Sequence, residues 1–555
     1  MGLAVGSTER LAPGELMETT RLRFPTTYAP PLARPVRAPT GGPPRSRPSG
    51  ALRRDAFANL VGRAWVALSG LVFVPLYIKL LGVEAYGLVG FAATLQVGMS
   101  LLDVGLATTL NRELARAGGG WRTEGGRGYT AQQQRDLVRT LEITYWVAAL
   151  VIVALVEIAA PAIARGWLHP ERLSTGSVEN AIRLIGITIA LQFPFTLYEG
   201  GLLGIGRQVA LNVILVVGAT LRFGAVVAVI VWVSPTIEAF FVWQVAVTAL
   251  QTTAGAWLLW WSLPSGNGRP RFRLHVLSGV WRFAAGMAGI TLTAVVLTHM
   301  DKLVLSKLLT LADFGYYTLA TVATGVLYML FLPLFQAAFP RFAQAVAVGD
   351  SAALSRLYHR SAQGMSVLVL PAATVLAFFA REIMLLWTRS PEAAEATRVI
   401  VALIAAGTAL HGLMNIPYAL QLAAGWTRLA LYTNVVAIAV LLPAIVVLSS
   451  RYGAVGAAVV WLALNVGYAT IGVGLMHRRL LRGELTRWYL ADVGLPLVAS
   501  VGAAGAVRLV VAGPASALAL LATIVAALTL TYLAAAGATA AGRDVLRRVR
   551  VAGSG

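Results

Sequence analysis

The chain has 555 residues, of which 57% are hydrophobic and only 12% are charged, and its mean hydropathy is +0.73. A soluble protein carries about twice that charged fraction, so the composition excludes a set of soluble domains. The formal net charge of +21 is spread over many short connections, which is typical of membrane topology and not of nucleic-acid binding. The absence of cysteine excludes disulfides, thiolate catalysis and cysteine metal sites.

Residues 1–52 differ from the rest of the chain because they are rich in proline and arginine and show little apolar periodicity. This composition predicts a disordered basic tail on the cytoplasmic side. The tail has no apolar core of the kind that a signal peptide needs. We therefore expect the first membrane helix itself to direct insertion.

About 14 apolar stretches, each long enough to cross a bilayer, follow this tail. They predict an all-α polytopic membrane protein. The predicted spans cover about 57–79, 85–108, 139–162, 180–204, 209–233, 239–262, 281–306, 314–338, 362–386, 396–422, 427–449, 453–476, 490–511 and 514–537. Only a Gly-Pro step separates the last two stretches, so a count of one or two helices fewer stays open.

Arginine and lysine are concentrated in alternate connections between these stretches. Beyond Arg63, 23 Lys and Arg residues fall on one set of connections, including the C-terminal tail, and 11 fall on the other set. The positive-inside rule therefore predicts an even number of spans with both termini in the cytoplasm. The preference for arginine over lysine is typical of a bacterium with a GC-rich genome, so we expect the bacterial cytoplasmic membrane as the location.

The connections on the predicted outer side are short, and they leave no room for a folded catalytic domain. The chain also lacks a Walker-type phosphate loop. We therefore expect no enzyme activity, no catalytic residues, no cofactor and no metal. Energy for any transport has to come from an ion gradient, the membrane potential or the substrate gradient.

Two segments of the chain are similar to each other. The sequences LLGVEAYGLVGFAATL and LLTLADFGYYTLATVA begin 228 residues apart, and this offset aligns Tyr86-Gly87 with Phe314-Gly315. Each segment opens the second helix of a block of six. Because six is even, the two blocks share one orientation, and they are expected to be related by an axis along the membrane normal with the substrate between them.

The repeat and the spans together divide the chain into five regions. A second pair of similar segments is Gly206-Arg207 after the fourth span and Gly425-Trp426 after the tenth, and these are separated by a similar number of residues. After the N-terminal tail we expect an N-lobe at 53–264, a C-lobe at 265–478, a C-terminal helix pair at 479–541 and a basic cytoplasmic tail at 542–555.

Several short motifs suggest a family. They are Pro75-Leu76-Tyr77, LLG at 80–82, Tyr86-Gly87-Leu88, Gln96, LLDVGL at 101–106 and NRELAR at 111–116. This pattern resembles the polysaccharide transporter branch of the multidrug/oligosaccharidyl-lipid/polysaccharide exporter superfamily. The specific match covers roughly the first two spans, while helix count, repeat and loop sizes agree over nearly all of the remaining chain.

The resemblance implies two six-helix lobes in a V shape around a central cleft, with two further C-terminal helices. It also implies a flippase that moves an undecaprenyl-pyrophosphate-linked oligosaccharide from the inner to the outer leaflet by alternating access, for polysaccharide or lipopolysaccharide biosynthesis. Such a head group cannot cross about 30 Å of hydrocarbon unaided. Expected partners are this lipid-linked oligosaccharide, membrane lipids, a coupling ion such as H⁺ or Na⁺, and polysaccharide polymerase or assembly proteins.

Arg222 lies near the predicted midplane of the fifth span. An arginine facing lipid at that depth costs about 3 kcal/mol or more, so it has to face the protein interior. One interpretation is that it faces the cleft and attracts the pyrophosphate through charge-assisted hydrogen bonds. The other is a structural ion pair with a carboxylate on a neighbouring helix.

Arg63 and Asp103 have similar predicted depths near the cytoplasmic face, on helices joined by a short turn. We expect them to lie close together. They are either a structural ion pair or a gate that parts when substrate enters, and in the second case Arg63 also belongs to the cations that receive the substrate.

The seventh span ends in a polar segment with His299, Asp301 and Lys302. His299 and Lys302 are three residues apart and share a helix face, whereas Asp301 and Lys302 point to different faces. His299 and Lys302 are therefore candidates for binding phosphate or moving protons, and Asp301 for a gate or ion pair. The alternative is a lysine that snorkels to the interface beside a hydrogen-bonded histidine.

Further intramembrane residues are candidates for coupling and movement. Glu199 and Glu157 are candidate ion-coupling carboxylates, with a structural partnership to an arginine as the alternative. Pro194 and Pro417 occupy comparable places in the fourth and tenth spans. Proline inside a helix removes a hydrogen bond, so both are candidate hinges for lobe movement, or static kinks.

Other functions stay open from the sequence alone. A flippase for the lipid-linked peptidoglycan precursor and a cation-coupled drug exporter share the expected fold. A membrane-embedded enzyme of glycan assembly and a structural scaffold belong to different classes. The cations Arg222 and Arg63 favour an anionic cargo over a cationic drug, and the outer connections carry only scattered charges where an enzyme needs clustered ones.

Overall fold

The computed structural model describes residues 62–100 apart from 63, 64 and 67, then 105–118, 130–274, 299–510, 516–544 and 547. Within these ranges the chain forms helices and one isolated β-bridge. Arg63, Asp103, the N-terminal tail and most of the predicted seventh span lie outside the described residues, so the predictions made for them stay predictions.

The first lobe, called the N-lobe below, begins with a short apolar helical stretch, Leu68–Leu81. Its helices are α1 (Val74–Leu81), α2 (Val83–Ser100), α3 (Leu106–Gly118), α4 (Ala131–Gly166), α5 (Thr175–Gly204), α6 (Gln208–Ala219), a π-helical segment (Thr220–Ala225), α7 (Val226–Trp232) and α8 (Ile237–Ser262).

The second lobe, the C-lobe, begins with helical residues 299–308. Its helices are α9 (Leu311–Val348), α10 (Ser351–Phe378), α11 (Ala380–Thr388), α12 (Pro391–Ala423), α13 (Thr427–Gly467), a π-helical segment (Tyr468–Gly472) and α14 (Val473–Leu480). The C-terminal pair follows as α15 (Leu485–Arg487), a π-helical segment (Trp488–Gly494), α16 (Leu495–Val510) and α17 (Ala517–Ala538).

Nine helices in the described part of the chain are long and apolar enough to cross a membrane, which confirms the all-α polytopic fold. They are Ala131–Gly166, Thr175–Gly204, Gln208–Trp232, Leu311–Val348, Ser351–Phe378, Pro391–Ala423, Arg428–Leu480, Leu485–Val510 and Ala517–Ala538. Arg428–Leu480 is broken by the left-handed Gly453, where the sequence predicts a boundary. The last two predicted spans are separate helices that pack on each other.

The two lobes meet where α2 and α9 begin, and the contact is reciprocal. A methyl group on Gly87 would overlap the carbonyl oxygen of Leu311, and one on Gly315 would overlap the carbonyl oxygen of Val83. Val83 and Leu311 are themselves related by the 228-residue offset. The same surface is therefore used twice, as in a two-fold contact, and the aligned glycines are the points at which the two backbones touch.

The loop between α4 and α5 extends this contact. The carbonyl oxygen of His169 accepts a hydrogen bond from the amide of Leu311 at 3.0 Å. The Trp167 indole donates to the Ser306 hydroxyl at 3.0 Å, and the ammonium of Lys307 lies 4.9 Å from the centre of the Trp167 ring. We call the region of residues 83–90, 167–173 and 306–318 the joined pole.

Glu84 attaches this loop to the N-lobe. Its buried carboxylate accepts hydrogen bonds from the backbone amides of Glu171, Arg172 and Leu173 at 2.7, 2.9 and 3.3 Å. A carboxylate with three amide donors has its charge well satisfied without a cation. The loop is therefore part of the N-lobe, and its contacts with residues 306–311 join one lobe to the other.

The two largest of the four hydrophobic cores among the described residues divide the protein. The first core contains residues of all eight N-lobe helices together with C-lobe residues up to Ala323 on α9 and Ile404 on α12. The second core begins at Leu327 on α9 and Ala405 on α12 and contains only residues of the C-lobe and the C-terminal pair. The end of the C-lobe away from the joined pole, called the opposite pole, therefore has a core of its own.

The second pair of similar segments, Gly206-Arg207 and Gly425-Trp426, forms the same type of turn in both lobes. Gly206 and Gly425 both adopt left-handed backbone conformations, with φ of 75° and 69°, and end α5 and α12 in the same hydrogen-bonding pattern. After the first turn Arg207 stacks over Trp261, and after the second Trp426 lies under Arg479. The cation and the aromatic ring have exchanged places between the halves.

The connection after α8 is held against the N-lobe. Buried Asp136 on α4 forms an ion pair with Arg273 at 2.5 Å and accepts a hydrogen bond from the amide of Arg271 at 2.9 Å. The amide of Arg273 donates to the Thr140 hydroxyl at 3.0 Å. Residues 271–273 are therefore fixed to the N-lobe, although the sequence assigns them to the C-lobe by span order alone.

The C-terminal helix pair is attached to α10 and α11 at both ends. Arg508 of α16 forms a 2.6 Å ion pair with Glu382 of α11. At the other end, buried Asp492 contacts His359 of α10. The other ring nitrogen of His359 lies 3.1 Å from Glu484.

Candidate functional site

A polar cavity of about 400 Å³ lies inside the C-lobe. Helical residues 299–308 contribute its charged and titratable side chains, α9 contributes hydroxyls, and α12 and α13 close it. It is lined by His299, Asp301, Lys302, Tyr317, Thr321, Thr324, Gly325, Tyr328, Ile404, Thr408 and Trp461. The structure thus places His299 and Lys302 on one cavity wall, and it adds Asp301 to that wall although the helix spacing predicts a different face.

Asp301 has one engaged oxygen and one without a partner. Its Oδ2 accepts a hydrogen bond from the hydroxyl of Tyr317 at 2.6 Å. Its Oδ1 and the Nδ1 of His299 are buried and have no hydrogen-bond partner among the described residues. Buried polar atoms of this kind are costly unless they are paired. His299, Asp301 and Lys302 therefore line the cavity together, while these two atoms are themselves enclosed by protein.

Aromatic side chains complete the cavity wall. The indole of Trp461 donates to the Thr408 hydroxyl at 3.2 Å, which orients the ring. His411 packs against Trp461, Tyr328 and Phe331, with ring centres 5.8 or 5.9 Å apart. Flat rings beside hydroxyls suit a bound sugar, which presents both apolar faces and hydroxyl groups.

A second cavity, of about 320 Å³, lies between the lobes beneath the joined pole. It is lined by Gly70, Leu71, Val74, Tyr77, Tyr86, Val89, Gly90, Ala93, Phe223, Thr318, Val322, Gly325, Val326 and Met329. These side chains are almost all apolar. Among the residues that the structure describes, the lining of this second cavity is therefore apolar, and His299, Asp301 and Lys302 lie in the C-lobe cavity instead.

Arg222 is in the π-helical segment between α6 and α7. One of its terminal nitrogens donates to Gln251 at 2.9 Å and to Thr248 at 3.3 Å, both on α8. Among the described residues, no carboxylate lies within ion-pair distance of it. Its Nε is enclosed by protein and has no hydrogen-bond partner among those residues, so the positive charge is held by neutral partners.

The π-helical segment is held by side chains of neighbouring helices. Trp243 donates to the carbonyl oxygen of Leu221, and Gln244 donates to that of Arg222. Tyr77 donates to the carbonyl oxygen of Phe223 at 2.5 Å. Three successive carbonyl groups are thus bonded from α8 and α1. Sequence reasoning missed this arrangement, because no residue pattern marks a π-helical segment inside an apolar span.

The candidate coupling carboxylates have different surroundings. Glu157 on α4 is 41% exposed and lies 3.3 Å from Arg183 on α5, which is the structural partnership that the sequence offered as an alternative. Glu199 is half-buried in α5. An ion-coupling role for either residue stays a prediction.

The candidate hinges lie within long helices. Pro194 is buried inside α5, and Pro417 is buried inside α12. Both helices continue on either side of the proline. The hinge role of both residues stays a prediction.

A two-lobed membrane protein with reciprocal contacts between its repeats and a polar cavity belongs by its architecture to a class, the two-lobed membrane transporters. Residues 52–346 match a family model described as "Polysaccharide biosynthesis protein". The match spans more than half of the chain, and the chain belongs to this family, within the multidrug/oligosaccharidyl-lipid/polysaccharide exporter superfamily.

Solved structures support the same fold. The chain is similar to the lipid II flippase MurJ in an inward closed conformation, with a TM-score of 0.66 and 12% identity, over 90% of this chain and 100% of that one. It is also similar to an inward-facing multidrug resistance MATE family transporter, with a TM-score of 0.61 and 14% identity, over 76% of this chain and 96% of that one. No curated protein sequence matches the chain.

Proposed function

We propose that this protein is a flippase that moves a polyprenyl-pyrophosphate-linked oligosaccharide from the inner to the outer leaflet of a bacterial cytoplasmic membrane, for cell-surface polysaccharide biosynthesis. The charge distribution supports a cytoplasmic location for both termini. The joined pole then faces outward. Substrate enters from the cytoplasmic side, where the C-lobe has a core separate from that of the N-lobe.

The observation that carries this proposal is the charged cavity of the C-lobe. His299 and Lys302 supply donors for phosphate oxygens, and the carboxylate of Asp301 and the threonine hydroxyls of the same cavity supply acceptors for sugar hydroxyls. Trp461 supplies a face against which a sugar ring packs. Phosphate, sugar and aromatic contacts in one cavity suit the junction between a pyrophosphate and its first sugar.

The buried guanidinium group of Arg222, which has no carboxylate within ion-pair distance among the described residues, disfavours a cationic drug as cargo. Lys302 adds a second positive charge in the C-lobe cavity, where Asp301 offsets it. Movement then requires no covalent chemistry. Direction arises because the substrate binds the inward-open and outward-open states with different affinity.

Deletion of the gene tests the proposal directly. We expect lipid-linked oligosaccharide to accumulate on the inner leaflet and surface polysaccharide to fall, and complementation with the intact chain to restore both. An unchanged inner-leaflet pool would contradict the flippase function.

Complementation with Lys302→Gln should restore transport poorly, because the charge-assisted bonds to phosphate are lost. Lys79→Gln is the matched control, since Lys79 is exposed near the end of α1.

Arg222 calls for a separate substitution, because its role stays a prediction. If it attracts the pyrophosphate, Arg222→Gln lowers transport while membrane abundance stays normal, since glutamine can still bond to Gln251 and Thr248. Arg222→Lys keeps the positive charge but loses the planar donor geometry. Its transport rate should therefore lie between those of the wild-type protein and Arg222→Gln. Undiminished transport by Arg222→Gln at normal abundance would discard the idea.

A further inference from the structure

The two cavities differ in chemistry and meet at one residue. The C-lobe cavity carries His299, Asp301 and Lys302, whereas the interlobe cavity is almost wholly apolar. Gly325 on α9 lines both. It also falls between Ala323 and Leu327, where the first core gives way to the second. A charged compartment and an apolar compartment therefore adjoin across a glycine.

We propose that these two cavities form a single amphipathic site: the C-lobe cavity takes the pyrophosphate, and the interlobe cavity takes the isoprene units nearest to it. This inference rests on the proposed function and deepens it. The protein binds the phosphate–prenol junction of its substrate as well as the head group. The remainder of the prenyl chain stays in the lipid.

The size and walls of the interlobe cavity suit this occupant. Volumes of about 320 and 400 Å³ lie in the range of small-molecule sites, which are mostly apolar with a few placed polar groups. Val89, Val322 and Met329 give aliphatic contact surface. Burial of isoprene units against such walls adds affinity in proportion to the apolar area removed from water.

A glycan in the interlobe cavity is disfavoured for the opposite reason. Its hydroxyls would leave water without enough partners, which is costly. The hydroxyl of Tyr77, which lines this cavity, already donates to the carbonyl oxygen of Phe223. The sugar is therefore directed to the other side of Gly325, where hydroxyls, a carboxylate and an indole lie.

Gly325 offers a clean way to separate the compartments. No atom lies within 4 Å of the position that its Cβ would occupy, so a side chain can be added without a backbone collision. Gly325→Phe should fill the junction and leave the helix intact. Gly502 on α16 is the matched control, because it has equally open surroundings and lines neither cavity.

The experiment measures binding of inorganic pyrophosphate and farnesyl pyrophosphate to the purified full-length chain in phosphatidylcholine nanodiscs. We expect farnesyl pyrophosphate to bind at least about tenfold more tightly, a difference of about 1.4 kcal/mol. Gly325→Phe should weaken farnesyl pyrophosphate more than inorganic pyrophosphate and so bring the two affinities close together. Gly502→Phe should keep the wild-type ratio of the two affinities. Because the prenyl chain partitions into lipid equally in both variants, the comparison with Gly325→Phe corrects for that partitioning. Lys302→Gln should weaken both ligands.

The outcomes separate this inference from the function on which it rests. Equal affinity for the two ligands in the unaltered protein, or an unchanged ratio in Gly325→Phe, would overturn the prenyl compartment and leave the pyrophosphate site standing. Failure of the unaltered protein to bind either ligand would overturn both. A lost ratio in Gly325→Phe with retained pyrophosphate binding supports the two-compartment site.

Discussion

The joined pole and the opposite pole of this protein are built differently. At the joined pole one hydrophobic core runs from the N-lobe into the C-lobe, and backbones touch at Gly87 and Gly315. At the opposite pole the C-lobe has a core of its own. Separating the lobes at the joined pole exposes shared apolar surface and breaks hydrogen bonds, whereas separation at the opposite pole leaves the second core whole. The described arrangement is therefore the state closed at the joined pole.

The largest expected effect comes from fixing the joined pole covalently. His169 and Thr310 are paired in a β-bridge across the lobes, a separation that a disulfide can span. The chain has no native cysteine, so His169→Cys with Thr310→Cys creates the sole pair. We expect oxidation to abolish transport and a reductant to restore it, as measured by inner-leaflet accumulation. Single-cysteine variants are the controls, and full transport by the oxidised pair would refute opening at this pole.

Adding one methyl group at the glycine crossing should have the next largest effect. Gly87→Ala places a methyl group against the carbonyl oxygen of Leu311, and overpacking of this kind costs about 1–3 kcal/mol. Gly98 lies on the same helix with nothing within 4 Å, so Gly98→Ala should stabilise by up to about 1 kcal/mol through helix propensity. Thermal unfolding in detergent measures both changes. Shifts of the same sign would count against the close crossing.

Removing the charge of Glu84 should loosen the joined pole more mildly. Glu84→Gln keeps an acceptor oxygen for the loop amides but replaces charge-assisted bonds with neutral ones, at a cost of about 1–2 kcal/mol. We expect faster proteolysis of the loop at 167–173. Glu171→Gln is a control in the same loop, since that side chain is exposed. Equal cleavage rates for the two variants would show that Glu84 does not hold the loop.

The smallest expected effect concerns acid at the opposite pole. A hydrogen bond from Ser355 and the nearby charge of His359 lower the pKa of Glu484. Its contribution to stability is therefore present above the unfolded pKa of about 4.3 and is lost as the pH falls through the folded pKa. Wild-type protein should exceed Glu484→Gln in thermal stability near neutral pH, and the difference should shrink below about pH 4. A difference that does not depend on pH would contradict this.

Much of the fold follows from local physics that the sequence displays. The predicted fifth span at 209–233 corresponds to Gln208–Trp232, because about 20 apolar residues have few alternatives to crossing the membrane. The break at Gly453 follows from the positive φ that glycine tolerates. The last two predicted spans correspond to two separate helices. The repeat was visible as well, since aligned aromatic–glycine steps occupy equivalent helix starts.

The candidate site was predictable only in part. The depth of Arg222 and the polar segment with His299 and Lys302 are properties of a single helix, and the sequence displays them. The partners of these residues on other helices cannot be read from the sequence. Periodicity shows which face of a helix is polar, but it does not show which side chains that face contacts. The packed structure was therefore needed to show that Arg222 bonds to Gln251 and that Asp301 and Lys302 line the same cavity. The same holds for Glu84, whose three donors come from a distant loop.

The exchanged pairs after the repeated turns bear on how the two halves diverged. Arg207 over Trp261 and Arg479 over Trp426 preserve one stacking interaction with its members transposed. Neither position retains residue identity between halves, yet the pair retains its chemistry. When the two halves are compared residue by residue, these sites differ. When their contacts are compared, both halves have a stacked arginine and tryptophan at this place. Ancestry in such duplicated membrane proteins is thus recorded in couplings between helices after it has faded from the individual positions.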